Sequence, residues 1–194
     1  MASPYVLLCV AHTLTDPGAV TPGGMTEHAF SARACDVAAG LIEDAGFRAK
    51  IVSGPRANKI KAANAKGADF AALVEPHFNA SLSPVTRGYQ AIYAASSQEG
   101  RRLARACSCA MRDGFAALRY NAARWIGPSP VPGPLVRHDD LPLLTKTRPP
   151  AVITEYAFAT NACDVAWIER PTGAEEYGVM VAAGVLDFLK CGGR

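Results

Sequence analysis

The hydrophobic pattern begins with six apolar or aromatic residues at positions 5–10, YVLLCV. This run is too short for a stable isolated helix and predicts a strand that is buried on both faces. A polar loop rich in glycine and proline follows, and Thr26 is a good N-cap for a helix. The next apolar residues have the spacing of one helix face. They are Phe30, Ala34, Val37, Ala38, Leu41 and Ala45.

Strands and helices alternate along the remainder of the chain. Further strands are predicted over residues 47–52, 69–77, 88–94 and 151–155, and further helices over 60–66, 98–114 and 173–189, with a short helix from Asn161. The proline-rich segment 125–150 predicts an extended surface connection with one short strand near 141–145. The alternation predicts an α/β fold, in which residues 1–194 form a single domain. Its sheet is open, twisted and mostly parallel, with helices on both faces.

The composition and net charge of the chain limit the classes of function that it could have. The chain has 194 residues, of which 49% are hydrophobic and 19% charged, so a compact globular protein is expected. A net charge of +3 without a basic cluster argues against a nucleic-acid partner. No apolar run is long enough to span a membrane. Six cysteines without CxxC spacing predict reduced thiols, and the absence of a signal peptide predicts synthesis in the cytoplasm.

Titratable residues stand at the ends of three predicted strands, where His12, His77 and Glu155 follow apolar runs. The carboxyl ends of parallel strands share one edge of the sheet, which is where ligands bind. Glu27 heads the apolar stripe of the first helix, and an inward carboxylate is costly unless something pairs with it. The four residues are therefore expected to converge on one crevice.

Two imidazoles and one carboxylate form the ligand set of a catalytic zinc, which keeps a fourth position for water. A remaining carboxylate would then accept a proton from that water. Taken singly, each residue has an ordinary explanation: a surface histidine, a first-turn glutamate at the helix dipole, or a glutamate paired with arginine. Their joint occurrence favours the metal site, although the spacing matches no compact motif such as HExxH.

Short motifs around these residues occur in a fixed order. They are Ala11-His12, Asp16-Pro17-Gly18-Ala19, Glu27, Ala63-Asn64, Gly67-Ala68-Asp69, His77-Phe78-Asn79-Ala80, and Glu155 followed by Phe158 and Asn161. Over essentially the whole chain, this order resembles the zinc-dependent N-acetylmuramoyl-L-alanine amidases of the autolysin and phage endolysin type.

The resemblance implies a role for each residue. His12, Glu27 and His77 would hold one Zn²⁺, and Glu155 would be the catalytic proton acceptor. The substrate would be peptidoglycan, cut at the amide between N-acetylmuramic acid and L-alanine. A phage endolysin is expected, made in the host cytoplasm, acting on the cell wall after release and working as a monomer. A cytoplasmic bacterial amidase is the alternative origin.

The chain departs from the family pattern at several positions. Ala11 and Thr13 replace glycines, so this loop is less free to adopt positive φ. Tyr156 and Ala157 also replace glycines. Glu75 stands where the family usually has a small residue, on the same side of the strand as His77, so it would either orient that imidazole or compete as a ligand.

The sequence also leads to expectations for the other two histidines and for the connection before the helix over residues 98–114. His28 is expected at the pocket rim or in solvent, because it lies about 100° around the helix from Glu27. His138 is expected on the surface. The connection over residues 94–98 is too short for the inhibitory helix that some family members carry there.

Other function classes stay open at this stage. A non-catalytic peptidoglycan-binding module is one alternative, although it would not need Glu155. A metallo-carboxypeptidase-like hydrolase is another, and it would need an arginine for a terminal carboxylate, such as Arg87 or Arg137. A nucleotide-binding protein is disfavoured, because Gly23-Gly24 belongs to neither a GxGxxG motif nor a P-loop.

Overall fold

A six-stranded sheet organises the computed structural model, which describes residues 5–120 and 135–191. The spatial strand order is β2-β1-β3-β6-β4-β5, and β1, β2, β3 and β6 are mutually parallel. Strand β4 runs antiparallel to β6 and pairs in parallel with β5. The predicted α/β fold with an open, mostly parallel sheet is confirmed. The strands are β1 (Tyr5–Cys9), β2 (Arg48–Val52), β3 (Phe70–Asn79), β4 (Gln90–Tyr93), β5 (Leu135–Arg137) and β6 (Ala151–Phe158).

Helices cover both faces of this sheet. One apolar core packs α1, α3, α5 and α6 against the first face, and a smaller core packs α2 and α4 against the second. Strand β1 shows the arrangement: Val6 and Leu8 belong to the larger core, whereas Leu7 and Cys9 belong to the smaller one. The helices are α1 (Glu27–Asp44), α2 (Arg56–Ala63), α3 (Gln98–Ala117), α4 (Pro142–Thr145), α5 (Ala162–Ile168) and α6 (Gly173–Cys191).

The start of α1 is as predicted, but its buried stripe differs in the last turns. The Thr26 hydroxyl accepts a hydrogen bond from the amide of Ala29, which caps the helix. Leu41, expected in the stripe, is 37% exposed, and Ile42 is fully buried instead. Ile42 follows the buried Ala38 by four residues, so it stays on the same helix face.

Two segments differ from the pattern-based prediction. The expected strand near 141–145 is wrong, since helix α4 occupies this position and a strand, β5, precedes it. Pro142 suits the first helical position because it lacks an amide hydrogen, and the adjacent Leu143 and Leu144 are both buried, unlike neighbours on a half-buried strand. Helix α2 begins earlier than expected, at Arg56. Residues 125–134 of the predicted connection lie outside the described residues.

The cysteines and the helices agree with what the composition predicts. All six cysteines are free, as predicted, and Cys9, Cys35 and Cys107 are buried. Within the described ranges, no helix combines the length and the apolar character that crossing a membrane requires.

Candidate metal centre

The four sequence-predicted site residues lie together at the carboxyl edge of the parallel strands. His12 follows β1, and Glu27 is the first residue of α1. His77 on β3 and Glu155 on β6 are direct partners in the parallel ladder. Both strands continue beyond these residues, so the two side chains stand within strands rather than at their ends. They lie on the sheet face covered by α2 and α4.

Three of these side chains form a cluster that could hold a metal ion. Oε2 of Glu27 is 3.1 Å from Nε2 of His12, and Oε1 of the same carboxylate is 2.5 Å from Nδ1 of His77. The ligand atoms of His12, Glu27 and His77 all lie within 4.8 Å of one another. Two ligands that each lie about 2.1 Å from one zinc ion are at most about 4.2 Å apart, so the three side chains would have to move slightly closer together to hold it.

The backbone of the loop between β1 and α1 binds the Glu27 carboxylate. The amide of Ala19 donates to Oε2 of Glu27 at 3.0 Å. The preceding residue, Gly18, has a φ of 76°. A Cβ at Gly18 would stand 2.6 Å from both Oε2 of Glu27 and Cδ2 of His12. The position therefore requires glycine for its backbone angle and for the space that the side chains of Glu27 and His12 occupy.

His12 itself has a φ of 58°, which is uncommon for a residue other than glycine. Two side chains of α1 fix the residue before it: the Ser31 hydroxyl accepts from the Ala11 amide, and Nδ1 of His28 donates to the Ala11 carbonyl, both at 2.8 Å. The expectation that His28 lies at the rim or in solvent is wrong, since it is only 9% exposed. The loop covers the helix start on this side, with the His28 amide bonded to the Pro17 carbonyl.

Hydrogen bonding favours the ionised forms of Glu27 and His77 in the metal-free protein. Burial alone would raise the pKa of Glu27, but the hydrogen bonds from His12 and His77 lower this pKa to about 2. Burial alone would lower the pKa of His77, but its bonds to Glu27 and Glu75 raise this pKa to about 10. Binding a metal at Nδ1 of His77 therefore requires loss of a proton.

Among the described residues, Glu155 has one buried carboxyl oxygen that no other group pairs with. Its Oε2 atom is buried and has no hydrogen-bond partner among the described residues. Burial, followed by the negative charges of Glu27 and Glu75, raises the pKa of Glu155 to about 8, against the opposing charge of His77. A bound cation would compensate the charge of Glu155. The donor set and this unpaired carboxyl group therefore both fit a zinc site.

The sequence did not identify the partner of Glu75. Oε2 of Glu75 accepts from Nε2 of His77 at 3.0 Å, and its Oε1 accepts from Nζ of Lys59 at 2.6 Å. Of the two alternatives for Glu75, this geometry corresponds to orienting the imidazole. Lys59 is buried on the same face of α2 as Ala63, four residues later. That spacing would have revealed it only if α2 had been predicted to begin at Arg56.

A cavity of about 360 Å³ lies beside the cluster and gives access to His12 and His77. It is lined by His12, Thr13, Asp16, Gly54, Pro55, Arg56, Lys59, Glu75 and His77.

Two further residues were considered from the sequence. Nε of Arg87, a candidate for binding a substrate carboxylate, lies 3.7 Å from Oδ1 of the buried Asp164, and its guanidinium carbon lies 5.7 Å from the centre of the Tyr120 ring. His138 is exposed, as predicted.

Solved structures with this fold include several amidases. Ami1 of Mycobacterium smegmatis, an N-acetylmuramyl-L-alanine amidase, matches with a TM-score of 0.82 and 19% identity over 98% of each chain. AmiC2 of Nostoc punctiforme, an N-acetylmuramoyl-L-alanine amidase, has a TM-score of 0.79 and 18% identity over 96% of this chain and 97% of its own. The catalytic domain of the CD27L endolysin, which targets Clostridia difficile, has a TM-score of 0.74 and 19% identity over 95% and 97%. At these identities the similarity shows the fold.

Sequence comparison adds the family. No curated protein matches the chain. A family model described as N-acetylmuramoyl-L-alanine amidase matches residues 6–187, a range that contains all four candidate site residues. The chain therefore belongs to the N-acetylmuramoyl-L-alanine amidase family.

Proposed function

We propose that the protein is a zinc-dependent peptidoglycan hydrolase that cleaves the amide between the lactyl group of N-acetylmuramic acid and L-alanine. The observation that carries this proposal is the His12–Glu27–His77 cluster beside the unpartnered carboxyl group of Glu155. Membership of the amidase family supports the choice of bond.

His12, Glu27 and His77 would hold one zinc ion. When bound, zinc supplies a Lewis acid that polarises a carbonyl and lowers the pKa of a coordinated water to about 7. The residues around the three ligands supply the rigid support: the Ala19 amide holds the Glu27 carboxylate, and the His28 and Ser31 side chains fix the residue before His12.

Glu155 is proposed as the general base and acid. Its Oε2 atom has no other hydrogen-bond partner among the described residues, so it is available to accept a proton from the attacking water. The carboxyl group would then deliver this proton to the nitrogen of the departing L-alanine. A pKa near neutrality suits a group that must both accept and release a proton.

The rival functions have less support. A peptidoglycan-binding module without turnover would gain nothing from a buried carboxyl group that lacks a partner, and such a group is costly to keep. A carboxypeptidase-like hydrolase would need a cation to bind a terminal carboxylate. Of the two arginines considered for this role, Arg87 faces Asp164, and the side chain of Arg137 lies outside the part of the chain that the structure describes.

We also propose that the protein is a phage endolysin that acts as a monomer on the wall after release from the host cytoplasm. The observation in favour of this origin is that an endolysin catalytic domain has the same fold. Cytoplasmic expression should leave cells intact until the membrane is permeabilised, and then cause rapid lysis. Lysis that does not depend on permeabilisation would contradict this order of events.

The bond cleaved is tested by digesting purified sacculi and identifying the new end groups. Amide cleavage beside the sugar should release amino groups of L-alanine, while reducing sugar ends stay constant. A glycosidase would raise reducing ends, and a peptidase would release amino groups of the cross-linking diamino acid or of D-alanine. Chelation should abolish the release, and added zinc should restore it. End groups other than those of L-alanine would refute the proposal.

A further inference from the structure

We propose that Glu75, held in place by Lys59, is a positioning residue that fixes the His77 imidazole with Nδ1 directed at the metal. This inference rests on the proposed metal site and assigns a function to an ion pair that the amide cleavage itself does not use.

The first support is the geometry around the His77 ring. Nδ1 of His77 lies 2.5 Å from Oε1 of Glu27, and Nε2 lies 3.0 Å from Oε2 of Glu75. Each ring nitrogen thus faces a different carboxylate, which leaves the ring no freedom to flip. Because Glu75 and His77 are two residues apart on β3, their side chains share one face of the sheet, which makes this contact possible.

The second support is that both oxygens of the Glu75 carboxylate have a hydrogen-bonding partner. Oε1 accepts from Nζ of Lys59 at 2.6 Å, and Oε2 faces His77. The positive charge of Lys59 balances the carboxylate, so Glu75 is held as a hydrogen-bond acceptor rather than as a fourth metal ligand. Histidines that bind metals commonly donate their second N–H to a carboxylate in this way, which fixes the tautomer and the ring orientation.

The third support is burial. The side chains of Lys59 and Glu75 are 3% and 9% exposed, respectively. A buried ion pair contributes little to stability compared with apolar side chains of similar shape, because both charges must be removed from water. Its location directly behind a proposed metal ligand therefore indicates a role in positioning that ligand.

The test compares zinc affinity in variants that separate positioning from stability. The main variant, Lys59→Met/Glu75→Leu, removes both charges together, so neither is left buried alone. A second variant, Lys59→Met/Glu75→Gln, retains an amide oxygen that can accept from His77. Lys61→Met is the matched control, because Lys61 lies on the same helix but is exposed. Zinc affinity is measured by chelator competition on metal-free protein, and folding by circular dichroism and thermal unfolding.

The main variant should stay folded and bind zinc about 10- to 100-fold more weakly than the wild type. The variant with glutamine should recover part of that loss, and the control should bind as the wild type does. The absorption spectrum of bound cobalt should change in the main variant, since the orientation of a ligand ring has changed.

Three results would overturn the inference. Wild-type zinc affinity in the main variant would show that Glu75 does not position His77. A loss as large as that in His77→Ala would show that Glu75 is itself a ligand. Absence of zinc binding by the wild-type protein would refute the proposed metal site, and this inference with it, whereas the first two results would leave the metal site standing.

Discussion

His77 and Glu155 face each other as register partners on the parallel strands β3 and β6. Their side chains consequently lie on the same face of the sheet, and the positive charge of His77 acts directly on the Glu155 carboxyl group. A proposed metal ligand and the proposed proton acceptor are therefore placed side by side by backbone pairing, without the need for a flexible loop.

The two proposed histidine ligands are tested by removing them one at a time. His12→Ala and His77→Ala should lose zinc and activity together, because two remaining ligands bind zinc poorly. Metal content is measured on purified, dialysed protein. The matched control is His138→Ala, an exposed histidine of the described chain, which should keep both. Stoichiometric zinc in the double variant His12→Ala/His77→Ala would contradict the assignment.

The space beside the proposed ligands His12 and Glu27 is tested by substituting two glycines of the loop between β1 and α1. Gly18→Ala should lose zinc binding, because its Cβ would collide with the Glu27 carboxylate and the His12 ring. Gly24→Ala is the control, since Gly24 has a similarly positive φ of 89° but open space around its Cβ position. Both variants carry backbone strain of about 1 kcal/mol. Equal zinc affinity in the two proteins would show that the loop does not cover a metal site.

The roles of the two glutamates are separated by conservative substitutions. Glu155→Gln should keep zinc and fold but lose roughly 10²–10⁴-fold in rate, since the amide cannot accept the proton. Glu27→Gln should lose zinc. Metal content and the initial rate of L-alanine end-group release are compared for the two proteins. If Glu155→Gln releases the metal while Glu27→Gln retains it, the two roles are exchanged.

The raised pKa of Glu155 makes the stability of the metal-free protein depend on pH. Between the ordinary pKa of 4.5 and the folded-state pKa of about 8, the folded protein keeps a proton that the unfolded chain releases. Stability contributed by this group is therefore present below about pH 4.5 and is lost as the pH rises through about 8. The loss is about 2 to 4 kcal/mol, allowing for partial solvent access.

Glu155→Gln removes this dependence and provides the measurement. In urea unfolding of the metal-free proteins, the variant should match the wild type at pH 4, below the ordinary pKa, and exceed its stability at pH 9. The charge of Glu155 also raises the pKa of His77, so the difference between the two proteins reports Glu155 together with its effect on His77. An equal difference at the two pH values would mean that Glu155 does not titrate in this window.

The sequence was sufficient to predict the α/β sheet and the convergence of His12, Glu27, His77 and Glu155. Apolar runs marked β1, β3 and β6 clearly because these strands are buried on both faces, and parallel strands bring such positions to one edge. The motif order then identified the family without any structural information.

What the sequence did not reveal depends on contacts between elements. His28 is buried because the loop after β1 folds over the start of α1. The spacing of apolar residues along a helix does not indicate whether a loop covers its first turn. The Lys59–Glu75 pair joins a short helix to a strand, and the sequence pattern of either element alone does not indicate that contact. The pattern predicts a strand where helix α4 lies, because four residues are too few to distinguish the spacing of a helix from that of a strand.

The cluster joins two layers of the protein. Glu27 belongs to α1, which packs on one face of the sheet, whereas His77 projects from β3 on the opposite face. An ion bound by both would act as a cross-link over the edge of the sheet and would bind the folded chain in preference to the unfolded one. Free zinc at 100 times its dissociation constant would then add about 2.7 kcal/mol to the free energy of unfolding, so the catalytic ion would also act as a clamp on the fold.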